Sequence, residues 1–205
     1  LPVGGPDAVR TGVATADDND MFSLDADRVG RHVTGDDLVL PLGDSVRLEG
    51  LVNYPVDTAW FSPVTFLSTP DSVVSWSRPL NTMRYQLTVR DANGCTATDF
   101  ILVEVDATRH VFVPNAFYPE KEGANSLVAV YGGHDVAEIG KFQIFDRWGN
   151  MVHEVEKFQP NDLSKGWNGK ARGKKAAPGV YVYWLEVLFE DGSTGVYKGD
   201  ITLIR

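Results

Sequence analysis

Cysteine is almost absent: Cys95 is the only one in 205 residues. A single thiol excludes an intrachain disulfide, a cysteine-ligated zinc centre and a CxxC redox pair. Lysine is missing from residues 1–107, which hold seven arginines against 16 acids; all eight lysines fall in 108–205. The first stretch carries a net charge of −9 and the second a net charge of 0. This change of composition predicts a domain boundary near residue 107. An acidic chain with a net charge of −9 is also a poor ligand for nucleic-acid phosphates, whose contacts need clustered Lys and Arg. No apolar run approaches the ~20 residues of a spanning helix. The chain opens at Leu1 without an initiator Met, a basic n-region or an apolar h-region. It therefore reads as a fragment or mature piece of something longer.

Helical periodicity is equally scarce, and strand grammar takes its place. Ser45 to Val52 and Arg84 to Arg90 alternate apolar and polar residues, and Phe100 to Val105 is nearly continuous and β-rich. Asn93-Gly94 between the last two accepts the positive φ of a tight turn, which predicts a hairpin. These runs imply an antiparallel sandwich over 36–107. Residues 1–35 are Asp- and Gly-rich, and read as an acidic linker or the tail of a preceding domain supplying one strand, Val29 to Val33. In the second half, Phe142 to Phe145 and Met151 to Val155 flank a turn at Asp146-Arg147-Trp148-Gly149-Asn150. Val180 to Val187 is a long strand, returned by Asp191-Gly192 into Gly195 to Arg205. Tyr181 and Tyr183 share one face of it, Val182 and Trp184 the other. Two apolar faces mark a central strand, or one face covered by a partner. Residues 108–205 are thus expected to form a second sandwich, with Arg205 at an exposed tip.

Residues able to carry chemistry are few. His32, His110, His134 and His153 lack a second ligand at helical spacing, and neither an HExxH nor a GxSxG motif occurs. They read as surface or structural histidines. Asp25, Asp27 and Asp36 fall at positions 1, 3 and 12 of a calcium-type loop with Gly30 at position 6, but Val29 stands where an oxygen is needed. They are weak calcium candidates, the alternative being a solvated acidic loop. Lys165, Lys170, Arg172, Lys174 and Lys175 form a basic segment, readable as a solvated loop or as a contact for an anionic partner. Trp148 and Trp167 lie in turn-rich segments, where a tryptophan plugs the end of a sandwich or anchors a partner. Asp146 and Arg147 are placed to form a local ion pair worth under ~1 kcal/mol.

Five blocks in the second half stand in one order: Val113-Pro114-Asn115-Ala116-Phe117, Ile144-Phe145-Asp146-Arg147-Trp148-Gly149-Asn150, Gly166-Trp167-Asn168-Gly169, Ala177-Pro178-Gly179-Val180-Tyr181-Val182-Tyr183, and Tyr197 to Arg205. In order and spacing this resembles the gliding motility-associated C-terminal domain, the type B sorting domain of the Bacteroidota type IX secretion system. Two departures stand out. Pro119 to Ser126 lacks the family's Asp-rich turn, and Trp167-Asn168-Gly169 replaces a Trp-Asp-Gly. The first half resembles, less specifically, the Ig-like or PKD-like repeats that precede such domains. Its carriers are Gly43 to Val46, Trp60-Phe61-Ser62-Pro63 and Tyr85 to Ala97.

The resemblance implies an all-β chain of two consecutive antiparallel Ig-like β-sandwiches. It implies a non-enzymatic, secreted or cell-surface sorting region with no cofactor. The expected partners are the type IX outer-membrane translocon and its shuttle or PorP/SprF-like attachment proteins. The expected partner surface comprises Arg147, Trp148, Trp167, Lys170, Lys174, Lys175, Tyr197, Lys198 and Arg205. The alternative is a carbohydrate-binding or adhesive module that stacks sugars on Trp60, Trp76 or Trp167.

Overall fold

The computed structural model describes residues 22–28, 31–33, 38–52, 55–121 and 123–205. The chain divides into two units, Leu1–Asp106 and Ala107–Arg205. Both are built of strands, because alternating apolar residues can bury one face of a pleated strand and solvate the other.

The first unit pairs β1 (Phe22–Arg28), β2 (Arg31–Val33), β4 (Val46–Val52) and β6 (Val74–Ser77) in one sheet, in the order β2-β1-β4-β6. The second sheet has the order β3-β8-β7-β5, from β3 (Leu38–Pro41), β5 (Thr58–Ser62), β7 (Met83–Arg90) and β8 (Thr96–Asp106). Leu40, Val46, Leu48, Phe61, Tyr85, Leu87 and Val103 meet between the sheets. Tyr85 carries its hydroxyl into this core with both hydrogen bonds made. It accepts from Ser77 Oγ at 2.8 Å and donates to the Thr65 carbonyl at 3.0 Å, as a buried polar group must to avoid a desolvation penalty. The β7–β8 turn is tied by Asp91, whose Oδ1 accepts the Asn93 and Cys95 amides at 2.9 and 2.8 Å, and Gly94 takes φ 86°.

Part of the acidic N-terminal stretch pairs into the first unit's sheet. Its longer strand is Phe22–Arg28, hydrogen-bonded in register to β4 from Phe22↔Val52 to Asp27↔Arg47. The strand expected at 29–33 is only the short arm Arg31–Val33. Phe22, Leu24 and Ala26 alternate with Ser23, Asp25 and Asp27, a period-two pattern that suits a strand despite the acidic composition.

The second unit is one five-stranded sheet with a layer of short pieces across it. The sheet runs β10-β17-β16-β12-β13 and contains β10 (Ala116–Phe117), β12 (Val136–Phe145), β13 (Met151–Phe158), β16 (Gly179–Phe189) and β17 (Thr194–Leu203). The opposing layer holds β9 (Val111–Phe112) paired with β11 (Tyr131–Gly132), the β14 (Lys170–Ala171) and β15 (Lys174–Lys175) hairpin, and a bridge between Val128 and Trp167. Phe117, Val128, Val130, Ile139, Phe142, Ile144, Trp167, Leu185 and Ile201 fill the space between. β16 is the middle strand. Tyr181, Leu185, Val187 and Phe189 face the core, while Val180, Val182 and Leu188 lie exposed on the sheet's outer face.

Candidate functional site

The β12–β13 turn is organised by one carboxylate. Asp146 Oδ1 accepts the Trp148 and Asn150 amides at 2.9 Å each, and Oδ2 accepts Asn150 Nδ2 at 2.9 Å. These bonds, that from the Asn150 side chain foremost, hold the Asp146 carboxyl below its ordinary value. The expected Asp146–Arg147 pair is replaced by a stack. The Arg147 guanidinium lies 4.3 Å from the Trp148 ring centroid, and Trp148 stands 71% exposed. Cation–π contact holds the two together without a carboxylate. They border a cleft whose other wall is Ala177, Pro178, Gly179, Val180 and Tyr181.

Behind that wall lies Trp167, only 1% exposed. Its ring packs on Tyr181 at 4.8 Å and Phe117 at 5.2 Å, and its Nε1 donates to the Lys170 carbonyl at 2.8 Å. The expectation that Trp167 belongs to a partner or sugar surface is therefore corrected. It plugs the sandwich and carries the basic hairpin from beneath. In that hairpin Arg172 (φ 49°) and Gly173 (φ 79°) supply two positive-φ turn residues, and Lys170 pairs directly opposite Lys175. Like charges face each other on this ladder, which costs stability.

Arg205 is not at an exposed tip, and the reason is its hydrogen-bond set. Its Nε donates to the Ala176 carbonyl at 3.1 Å and Nη2 to the Gly169 carbonyl at 3.0 Å, bracing both feet of the hairpin. Its Nη1 meets Glu120 Oε1 at 2.8 Å, where Lys175 Nζ also binds at 2.7 Å, and the side chain is 14% exposed. Lys175 and then Arg205 hold the Glu120 carboxyl below its ordinary value.

Arg147, Trp148, Lys170, Lys174, Lys175 and Arg205 thus gather around one end of the second unit, with Trp167 under them. Tyr197 and Lys198 do not join them. They lie opposite Leu185 and Trp184 in the middle of β17, roughly 20 Å along the strand at ~3.4 Å per residue. Asp25 and Asp27 sit opposite Glu49 and Arg47 in the β1–β4 ladder, and Asp36 lies outside the described residues. Among the described residues no group of three or more His, Cys, Asp and Glu is placed to hold a metal ion. Trp60 is on β5 and Trp76 on β6, edge strands of different sheets, and both are exposed.

Residues 111–203 match the family model described as the CHU_C type IX secretion signal domain. This stretch is a type IX sorting domain. It marks a chain for export across the outer membrane, to the cell surface or the medium. The matched span contains the whole end just described except Arg205. No helix among the described residues is long and apolar enough to cross a membrane.

Two solved structures superpose loosely on this chain. CopC from Methylosinus trichosporium OB3b is 26% identical over 46% of this chain and 93% of its own, with a TM-score of 0.31. Latent PorU from Porphyromonas gingivalis is 15% identical over 88% of this chain and 20% of its own, with a TM-score of 0.32. No curated protein matches the sequence.

Two features of the sorting domain escaped sequence reasoning. Glu120, which stands within the departure from the family's acidic turn, is the acid that joins Lys175 to Arg205. Arg109 stacks on Phe189 at 4.2 Å and binds Asp191 Oδ2 at 2.6 Å and Ser193 Oγ at 3.0 Å. Partners separated by 55 to 85 positions leave no local signal.

Proposed function

We propose that residues 107–205 are read as a folded object by the type IX outer-membrane translocon and by its shuttle or PorP/SprF-like attachment proteins. In this reading the first unit is an Ig-like stalk, and neither unit is an enzyme. The observation that carries it is the end of the sorting domain. The exposed Arg147–Trp148 stack stands at the same end as a basic hairpin, which is mounted on buried Trp167 and braced by Arg205. Exposed Trp and Arg on a rigid support are the residue types that dominate protein–protein contacts. Lys170, Lys174 and Arg147 add electrostatic steering toward an acidic surface.

The test places residues 1–205 behind a signal peptide and a reporter, in a bacterium that has this secretion system. The reporter is expected outside the cell. The combined variant Arg147→Gln, Trp148→Ala, Lys170→Gln, Lys174→Gln is expected to stay in the periplasm with an unchanged circular dichroism spectrum. Periplasmic retention of the unaltered fusion would sink the proposal.

A further inference from the structure

We infer that the free edge of β17, from Thr194 to Asp200, is a docking strip for an extended polypeptide strand of the export machinery. This rests on the sorting reading above and names how one of its contacts is made.

The direction of the backbone groups follows from two bonds. Thr202 N–H donates to the Asn115 carbonyl at 2.8 Å, and Ile204 N–H to the Phe117 carbonyl at 3.0 Å. Both point away from β16. Backbone groups alternate sides along a strand, so those of Thr194, Val196, Lys198 and Asp200 point the same way. Residues 195, 197, 199 and 201 instead turn theirs toward β16. Among the described residues only β10 pairs with this edge, at Ala116↔Thr202 and Phe117↔Leu203. The outward donors and acceptors of residues 194–200 therefore continue a row on which one short strand is already seated.

The edge is regular where natural edges are usually blunted. β16 and β17 pair over ten consecutive positions, from Gly179↔Leu203 to Leu188↔Thr194, without a register shift. The opposite edge strand, β13, is protected. Lys157 distorts its backbone locally with φ 51°, exposed Glu154 and Glu156 line it, and His153 Nε2 contacts the Lys165 carbonyl at 3.0 Å, folding the 163–165 turn against it. β17 has Lys198 and Asp200 but no bulge; Val196 is 59% exposed, opposite Glu186 and diagonal to exposed Leu188 of β16, while exposed Val182 and Val180 lie further along, opposite Asp200 and Thr202. A strand added here gains main-chain hydrogen bonds, and alternate side chains that reach Val196, Lys198 and Asp200 supply selectivity.

Two arms test it. In the export assay with residues 1–205, Val196→Pro deletes one outward N–H and leaves every bond to β16, because proline is tolerated where the N–H faces solvent. Its export should fall at least ten-fold, with a melting temperature within a few degrees of the unaltered chain, while Val196→Ala should stay within two-fold. In the second arm, hydrogen exchange of the unaltered chain is followed with and without detergent-solubilised outer membranes of the same bacterium. The amides of Val196, Lys198 and Asp200 should slow at least ten-fold, and those of Tyr197 and Gly199 should be slow already. Full export of a folded Val196→Pro variant overturns the inference. So does absence of protection, or protection that instead follows the chain's own concentration, which would assign the edge to a second copy. If the unaltered fusion is not exported but the three amides are still protected, the sorting reading fails and the strip stands.

Discussion

At the scale of single residues, polar side chains decide how the turns and ends of the sorting domain are held. Asp191 caps the β16–β17 turn. Its Oδ1 accepts Ser193 Oγ at 2.7 Å and the Ser193 amide at 3.0 Å, and Oδ2 accepts Arg109. The Ser193 hydroxyl first, then Arg109, lower its carboxyl to about 2. The unfolded chain holds that proton at the ordinary carboxyl value near ~3.9. A depressed folded value means stability that is present above about pH 4 and lost as pH falls through about 2. The side chain is 24% exposed, so solvent screening reduces the contribution to the order of 1 kcal/mol. Thermal melts between pH 5 and pH 2 should show a shallower acid loss for Asp191→Asn than for the unaltered chain. Identical slopes would mean that the Asp191–Ser193–Arg109 contact adds no pH-dependent stability.

At the scale of elements, turn chemistry was legible and pairing partners were not. Asn93-Gly94 and Asp146 to Asn150 announced their hairpins because the residue types that accept positive φ or cap backbone amides act within five positions. The strand at 22–28 carries a period-two pattern in Phe22, Leu24 and Ala26, but it is short and set in an Asp- and Gly-rich stretch, and only its pairing with β4 distinguishes it from a solvated linker. The β14–β15 hairpin shows an element under local conflict. Arg172 occupies a left-handed turn position at φ 49° that Asn and Gly prefer, and it sits among lysines. Arg172→Asn should stabilise the sorting domain by about 0.5–1 kcal/mol, since a non-glycine residue at positive φ costs on the order of 1 kcal/mol. The melting temperature should rise by about 2–5 °C. A fall would show that the arginine side chain contributes more than its backbone strain removes.

At the scale of the whole molecule, each unit owns a core. That of the second runs from Val113 to Leu203 and draws on every strand of its five-stranded sheet. Residues 107–205 expressed alone should therefore fold cooperatively, with a single calorimetric transition and a heat-capacity change of about 1.2–1.5 kcal/mol/K for a domain of ~100 residues. A broad, non-cooperative melt would mean that the first unit is needed to complete the fold.

The sequence by itself determined the strand content, the tight turns, the charge asymmetry and the five blocks of the sorting domain. These are written in neighbours, as period-two alternation, positive-φ residues and fixed spacing. Only the tertiary structure decided that Trp148 faces solvent while Trp167 is buried, that Glu120 meets Arg205, and that among the described residues no strand pairs with the outer edge of β17 from Thr194 to Asp200. Those outcomes depend on which distant segments pack together, and two tryptophans in similar local settings carry no mark of which one the core will close over.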